Sequence, residues 1–194
     1  YNENKVTSLN DSVPMATGNL GFDFQPSRIA EGHAVNEFYG YVTNGIFQNQ
    51  QSVENHAVQV PGNDPYNRTS AGDIRFKDLN SDGVINDADR TYLGNPSPDL
   101  IFSMNNKFAW HGFDLSIFLQ GVQGNEILNA NRIWSEGLAV AVNQTTAALN
   151  RWQQEGDMTD MPRAVFNDPN KNTRASDRWI EDGSYLRIKN IVFG

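Results

Sequence analysis

The sequence predicts an all-β fold with short helices in its loops, and three observations carry that prediction. Apolar and polar side chains alternate through residues 100–110 and again through residues 113–120, which is the period of a half-buried strand. His111 and Gly112 between them suffice for a tight turn, so the two segments predict one antiparallel hairpin. Residues 184–193 also alternate and predict a further strand.

The composition excludes several classes of function before any motif is considered. The 194 residues carry a formal net charge of −8, and no window supplies the basic stripe that phosphate binding needs, so no nucleic-acid partner is expected. The absence of cysteine excludes disulfides, thiolate catalysis and Cys-ligated zinc, and the three histidines are scattered. The sequence predicts neither a membrane helix nor a signal peptide, but membrane β-strands and oxygen-ligated cations remain possible.

Residues 1–70 predict short strands separated by loops. Strands are expected at residues 1–9 and 20–24. A hairpin is expected at residues 38–47 (FYGYVTNGIF), because Asn44 followed by Gly45 suits a type I′ turn. Residues 48–70 show neither period and contain a dense group of breakers at residues 61–65, so they predict a long surface loop.

The alternation in residues 100–120 fits two environments. Five apolar side chains of the first segment share one face: Leu100, Phe102, Met104, Phe108 and Trp110. A hairpin in a soluble antiparallel sheet alternates in this way. A membrane hairpin does so too, and Trp110 and Phe113 would then stand where an interfacial aromatic girdle lies.

Helical spacing follows in residues 126–136 and 138–152, where one side carries Val142, Thr145, Leu149 and Trp152, so a helix pair is predicted. Residues 157–177 predict a polar loop. In the last segment, Leu186, Ile188 and Val192 are predicted to share one face of the strand, with Arg187, Lys189 and Ile191 on the other.

Residues 78–89 (DLNSDGVINDAD) have the spacing of a twelve-residue calcium loop. Gly83 stands at the sharp turn, and Ile85 is expected to anchor the loop to the structure beneath it. Asp at the last position in place of Glu, and a strand-like segment at residues 73–77 in place of an entering helix, distinguish the loop from a complete EF-hand. The predicted cofactor is structural Ca²⁺, and the alternative is an Asx-rich turn. The predicted ligands are Asp78, Asn80, Asp82, Val84, Asn86 and Asp89.

Three tryptophans are candidates for stacking against a ligand: Trp134, Trp152 and Trp179. Packing residues are the alternative interpretation for each of them. No catalytic motif of a hydrolase, metalloprotease or phosphate-binding enzyme occurs, so no enzymatic function is predicted.

Five phrases in sequence order together resemble the C-terminal part of the SusC/RagA family, the TonB-dependent outer-membrane transporters of Bacteroidetes. They are EFYGYVTNGIFQNQ (37–50), GDIRFKDLNSDGVINDADRTYLGNPSPDL (72–100), GFDLSIFLQGVQGNEILN (112–129), LNRWQQEGDMTDMPRA (149–164) and SDRWIEDGSYLRIKNIVFG (176–194). They cover most of the chain. The remaining strands, the terminal aromatic residue, the plug domain and the TonB box of the family do not occur in it, so the chain is expected to be a fragment.

The resemblance implies antiparallel strands of a 22-stranded outer-membrane barrel with long extracellular loops. In that organisation residues 1–99 form a strand and loop region, residues 100–120 a barrel hairpin with a periplasmic turn, residues 121–183 a long extracellular loop with helices, and residues 184–194 the start of the next strand. One face of the strands would contact outer-membrane lipid. The candidates for facing the lumen are Ser103, Asn105, Lys107, Asp114, Ser116 and Gln120.

The function implied is import of an oligosaccharide or peptide with a SusD-like surface lipoprotein, powered by the TonB complex through N-terminal parts that the chain lacks. The expected location is the bacterial outer membrane, with loops on the cell surface. The alternative function is a secreted, calcium-stabilised carbohydrate-binding or interaction module.

Overall fold

The computed structural model describes residues 3–10, 13–18 and 24–194, and its regular elements are mostly short antiparallel strands. Two α-helices occur among these residues, α1 (Gln50–Glu54) and α2 (Ala130–Ser135). The strands are β1 (Met15–Thr17), β2 (Ser27–Ile29), β3 (Glu37–Gly40), β4 (Thr43–Ile46), β5 (Ile74–Phe76), β6 (Thr91–Gly94), β7 (Leu100–Trp110), β8 (Phe113–Gln123), β9 (Glu126–Leu128), β10 (Ile180–Asp182) and β11 (Tyr185–Phe193).

The strands form four separate antiparallel sheets within the described residues. One sheet has the order β1-β2-β3-β6, another the order β11-β8-β7, and two pairs are β4-β5 and β9-β10. The all-β prediction with short helices in loops is therefore confirmed. The longest strands, β7 and β8, lie in the three-stranded sheet, and the shorter ones build the region that holds the loops.

The loop region has its own apolar packing. One buried cluster contains Ile46, Ile74, Phe76 and Ile85, with Trp152 packed against it. A second contains Phe24, Ala175 and Trp179. These clusters connect β4, β5 and residues 78–89 with segments that lie far away in the sequence. Burial of large apolar side chains stabilises such contacts.

The hairpin predicted at residues 38–47 is wrong, because β3 and β4 belong to different sheets. Between them, Tyr41 pairs with Ser176 in a parallel bridge, and the amide of Thr43 donates to Asp177. Asn44 and Gly45 lie inside a register irregularity of the β4-β5 pair and do not form the turn. Contacts with a distant segment thus override the local turn signal.

The helix pair predicted at residues 126–136 and 138–152 is mostly wrong. Residues 126–128 form β9, and only α2 remains of the first helix. Leu138 has φ 55, a left-handed conformation that ends a right-handed helix. In the second segment, residues 146–150 form a short 3₁₀ helix, and Leu149 is 74% exposed, so the predicted apolar side is not buried as one helical surface.

Three smaller predictions have different outcomes. Residues 3–9 form no strand, so the strand predicted at residues 1–9 is wrong over that part, and most of residues 20–24 lie outside the described residues. The strand expected at residues 73–77 is confirmed as β5. The long loop at residues 48–70 contains α1, whose start is marked by a capping box in which Asn49 accepts from the Ser52 amide at 2.9 Å.

Candidate functional site

The three-stranded sheet contains the alternating segments. β7 and β8 pair along their whole length, from Leu100 opposite Gln123 to Trp110 opposite Phe113. His111 and Gly112 both have positive φ (48° and 87°), as a type I′ hairpin turn requires. The predicted hairpin is confirmed, and β8 continues beyond the predicted end at Gln120 to Gln123.

One face of this sheet is apolar across all three strands. The register aligns Phe102 with Gly121, Met104 with Leu119 and Phe108 with Leu115, and it places β11 beside them on the same face. Asn106 and Gln123 are the polar exceptions. The apolar members are Leu100, Phe102, Met104, Phe108, Trp110, Phe113, Leu115, Ile117, Leu119, Leu186, Ile188, Ile191 and Phe193.

A β-bulge in β11 keeps this face continuous. The register shifts between Ile188 and Asn190, so Ile191 lies opposite Ile117 and Phe193 opposite Leu115. The predicted faces of β11 are therefore wrong beyond the bulge: Val192 pairs with Ser116 on the polar face, and Ile191 joins Leu186 and Ile188. An extra residue in one strand reverses the alternation, which a strict period of two cannot anticipate.

The opposite face carries all six polar candidates. Ser103 lies opposite Gln120, Lys107 opposite Ser116, and Asp114 opposite Ala109. The Ser116 hydroxyl donates to Asn105 Oδ1 at 3.1 Å. Apolar Ile101, Phe118, Val122 and Val192 interrupt this face. The structure thus brings the six candidates together on one side of the sheet.

Aromatic side chains collect on the apolar face beside the turn. The rings of Phe113 and Phe193 stack at 5.7 Å, and Trp110 is 73% exposed. Exposed aromatic rings at one end of an apolar strand surface are typical of a membrane–water interface.

Residues 78–89 form a tight loop directly after β5. Gly83 turns with φ 84 and donates its amide to Asp78 Oδ2 at 2.9 Å. The amide of Asp82 donates to Asn80 Oδ1, and that of Val84 to Asp82 Oδ1. Ile85 is buried in the cluster with Phe76, so its predicted anchoring role is confirmed.

The electrostatics of the loop differ between its acidic residues. Asp82 is exposed, and its pKa is lowered by the hydrogen bond from the Val84 amide and by the Asn80 side chain. Asp89 is fully buried, and its two oxygens accept from the amides of Leu79 (2.9 Å) and Asn86 (2.8 Å). Asp89 therefore ties the two ends of the loop together.

The donor set of this loop is suited to a hard cation. Its predicted ligands offer only carboxylate, amide and carbonyl oxygens, which calcium prefers. Asp78 Oδ1 is buried without a hydrogen-bond partner among the described residues, as expected of an oxygen that needs a cation. In the same part of the chain, no three His, Cys, Asp or Glu side chains converge as a metal-binding group, so any calcium would depend on Asn80, Asn86 and Val84 as well.

The tryptophan candidates lie in different environments. Trp179 is fully buried, with Nε1 donating to the Arg174 carbonyl at 3.1 Å, so the stacking role predicted for it is wrong. Trp152 packs against the cluster of Ile46 and Phe76, which favours the packing interpretation. Trp134 is 47% exposed on α2, and its stacking role stays a prediction.

Sequence reasoning missed a buried polar network between residues 59–73 and 163–172. Asp73 and Asn170 are fully buried, and Arg163 Nε donates to Asp73 Oδ1 at 2.8 Å. In the sequence, the network is visible only as polar residues near β5. Their hydrogen-bond partners lie about a hundred positions away, so no short motif could reveal the network.

Among the described residues, no helix combines the length and apolarity needed to cross a membrane.

Comparison with known proteins confirms the family resemblance. The chain is 34% identical over its whole length to TonB-dependent receptor P3 of Formosa agariphila, and 29% identical over 98% of its length to TonB-dependent receptor P26 of that organism. It spans 18% of the length of each relative. No family model matches the chain.

Solved structures with the same fold include two of the RagAB system. A structure of the RagAB peptide transporter aligns with 92% of this chain at a TM-score of 0.61 and 17% identity, and an open-open state of the RagAB peptide importer with 96% at 0.62 and 18%. The chain covers 17% and 18% of those chains. At these identities the likeness shows the fold alone.

Proposed function

We propose that this chain is a segment of a TonB-dependent outer-membrane importer, to which it contributes adjacent barrel strands and a folded outer loop region. Its location would be the bacterial outer membrane, with β1–β6 and residues 124–184 on the cell surface. Residues 111–112 would form the short periplasmic turn that such barrels have between strands.

One observation carries the proposal: the three-stranded sheet has one apolar and one mostly polar face, and neither is covered by the described chain. Trp110, Phe193 and Leu186 are each more than 60% exposed (73%, 69% and 66%). Water disfavours such a surface, but lipid accommodates it. The opposite face, with Lys107 and Asp114, would then line the barrel interior.

The energy, partner and substrate of import follow from the family resemblance. The TonB complex would act through N-terminal parts beyond this chain, and a SusD-like lipoprotein would capture an oligosaccharide or a peptide. The similarity to TonB-dependent receptors supports a role of the TonB complex, and the similarity to the RagAB peptide transporter supports the peptide alternative.

Uptake by the natural host tests the proposal. We expect deletion of the encoding gene to abolish growth on either oligosaccharides or peptides as sole nutrient, and the wild-type gene to restore it. A gene lacking residues 100–123 should not restore growth. Unchanged growth on both nutrient classes, or fractionation of the protein away from the outer membrane, would contradict importer function.

We further propose that residues 78–89 bind one structural Ca²⁺ through the six predicted ligands. The oxygen-only donor set and the buried, unpartnered Asp78 Oδ1 support this proposal. Because Ile85 of this loop belongs to the buried cluster, bound calcium would stabilise the packing of the outer loop region and act as a structural ion rather than as a signal.

Calcium titration and chelation test the metal proposal. We expect Asp78→Ala or Asp82→Ala to abolish the Ca²⁺ binding measured by calorimetry. A chelator should lower the melting temperature of the wild type but not that of these variants. Asp87→Ala is the control, because Asp87 lies in the loop but at no ligand position and its side chain is 90% exposed. Equal melting temperatures with and without chelator would refute structural calcium.

A further inference from the structure

The outer edge of β5 is completed by side chains instead of by a strand. On its other edge β5 pairs with β4. Along the outer edge, the amide of Ile74 donates to Asn172 Oδ1 (2.8 Å) and the amide of Phe76 to Gln59 Oε1 (2.7 Å). The carbonyl of Ile74 accepts from Gln59 Nε2 and Asn170 Nδ2, both at 3.0 Å. Three side-chain amides thus make the hydrogen bonds that a neighbouring strand would make.

These amides are also bonded to one another. Asn170 Oδ1 accepts from Gln59 Nε2 (2.8 Å) and Thr69 Oγ1 (2.6 Å), and Asn170 Nδ2 donates to Asn172 Oδ1 (2.7 Å). Every donor and acceptor position of the Asn170 amide is therefore used. A buried network that is fully satisfied fixes one arrangement, since any displacement leaves a polar group unpaired.

A buried ion pair closes the network on one side. Asp73 accepts from Arg163 Nε (2.8 Å) and Nη2 (3.1 Å), from the Ser70 amide (2.8 Å) and from Asn172 Nδ2 (3.1 Å). Asp73 is fully buried. The set of Gln59, Thr69, Asp73, Arg163, Asn170 and Asn172 is called the polar clamp below.

The chain bends sharply to bring its amides into the clamp. Asn167, Asp168 and Lys171 all have positive φ (64°, 47° and 57°), which costs free energy for residues other than glycine. Asp168 supports this bend, because its oxygens accept from the amides of Asn172 and Thr173 at 2.7 and 2.8 Å. Arg174 lies 4.6 Å from the ring centre of Phe76 and donates to the Asn170 carbonyl.

We propose that the polar clamp is a conformational lock that holds residues 163–175 as a fixed strap across β5, so that these residues do not move as a lid. The strap continues through buried Trp179 and β10 into β11, and β5 continues into the loop of residues 78–89. The lock therefore joins that loop and a strand of the three-stranded sheet in one rigid unit. This inference is independent of import and of calcium.

Hydrogen exchange in the natural protein, purified in detergent, tests the lock. Arg163 has no bond to the β5 backbone, so Arg163→Met should accelerate exchange of the Ile74 and Phe76 amides only if the clamp acts as a unit. We expect acceleration of about tenfold or more, together with faster proteolysis within residues 163–175. Arg163→Lys, which retains the charge with poorer geometry, should give a smaller increase.

Arg75→Met is the matched control, because Arg75 lies on β5 itself but donates only to the Asn44 carbonyl outside the clamp. It should leave both amides protected. Exchange of the β7-β8 amides reports global unfolding. If Arg163→Met accelerates exchange of these amides as well, the milder variant Arg163→Lys is the one compared with wild type. Exchange at Ile74 and Phe76 within twofold of wild type in the folded Arg163 variant, or equal acceleration by Arg75→Met, would overturn the lock.

Discussion

Trp152 occupies its place because residue 72 is glycine. Gly72 has φ 87, and a Cβ built on it would lie 2.3 Å from a ring atom of Trp152. We expect Gly72→Ala to lower the free energy of unfolding by about 2–4 kcal/mol, since left-handed strain and overpacking add. Chemical denaturation of the natural protein in detergent measures this loss.

Gly156→Ala separates the two costs. Gly156 has a similar conformation, φ 94, but a Cβ there meets nothing within 4 Å, so only the backbone strain of about 1 kcal/mol remains. If both variants lose the same stability, contact with Trp152 contributes nothing at Gly72. A larger loss at Gly72 would show that the Trp152 and Arg163 side chains pack closely against the backbone of residue 72 in solution.

At the scale of the strand, a charged side chain should be tolerated much less on one face of β8 than on the other. Ile117 lies mid-strand on the apolar face, and the adjacent Ser116 lies on the polar face. We expect Ile117→Lys to destabilise the folded protein in lipid by about 2–4 kcal/mol and Ser116→Lys by less than about 1 kcal/mol. The measurement is unfolding in lipid vesicles followed by gel mobility.

Both variants add the same charged side chain, so the change in net charge cannot explain a difference. Equal tolerance of the two lysines would mean that lipid does not cover the Ile117 face. Greater damage from Ser116→Lys would assign the faces in reverse.

The elements differ in how far sequence could predict them. The β7-β8 hairpin was predictable because its pairing is local and its turn needs only His111 and Gly112. The faces of β11 failed after one bulge, and the hairpin at residues 38–47 failed because Tyr41 pairs with Ser176. The calcium spacing is contiguous and therefore visible, but the polar clamp joins residues such as Asp73 and Asn172 that no pattern connects.

At the scale of the whole molecule, the chain consists of two parts whose surfaces suit different solvents, water for the loop region and lipid for the three-stranded sheet. The loop region buries Phe76, Trp179 and Phe47 almost completely, and its polar network is bonded internally. The three-stranded sheet instead exposes most of its large apolar side chains. Such a combination is expected where one end of a protein faces water and the other faces lipid.

The 194-residue chain on its own should therefore need detergent. The outer edges of β7 and β11 have no strand partner within the described part of the chain, and the apolar face between them is uncovered. Unpaired strand edges and apolar surface promote association in water.

We expect aggregation of the 194-residue chain without detergent and a monodisperse species with it, measured by size-exclusion chromatography with light scattering. The chain lacking residues 100–123 should aggregate less. In both chains the tryptophan fluorescence should retain a blue-shifted component from the buried indole of Trp179, because its environment belongs to the loop region. A monodisperse intact chain in water, with Trp110 shielded from quencher, would contradict the lipid-facing sheet.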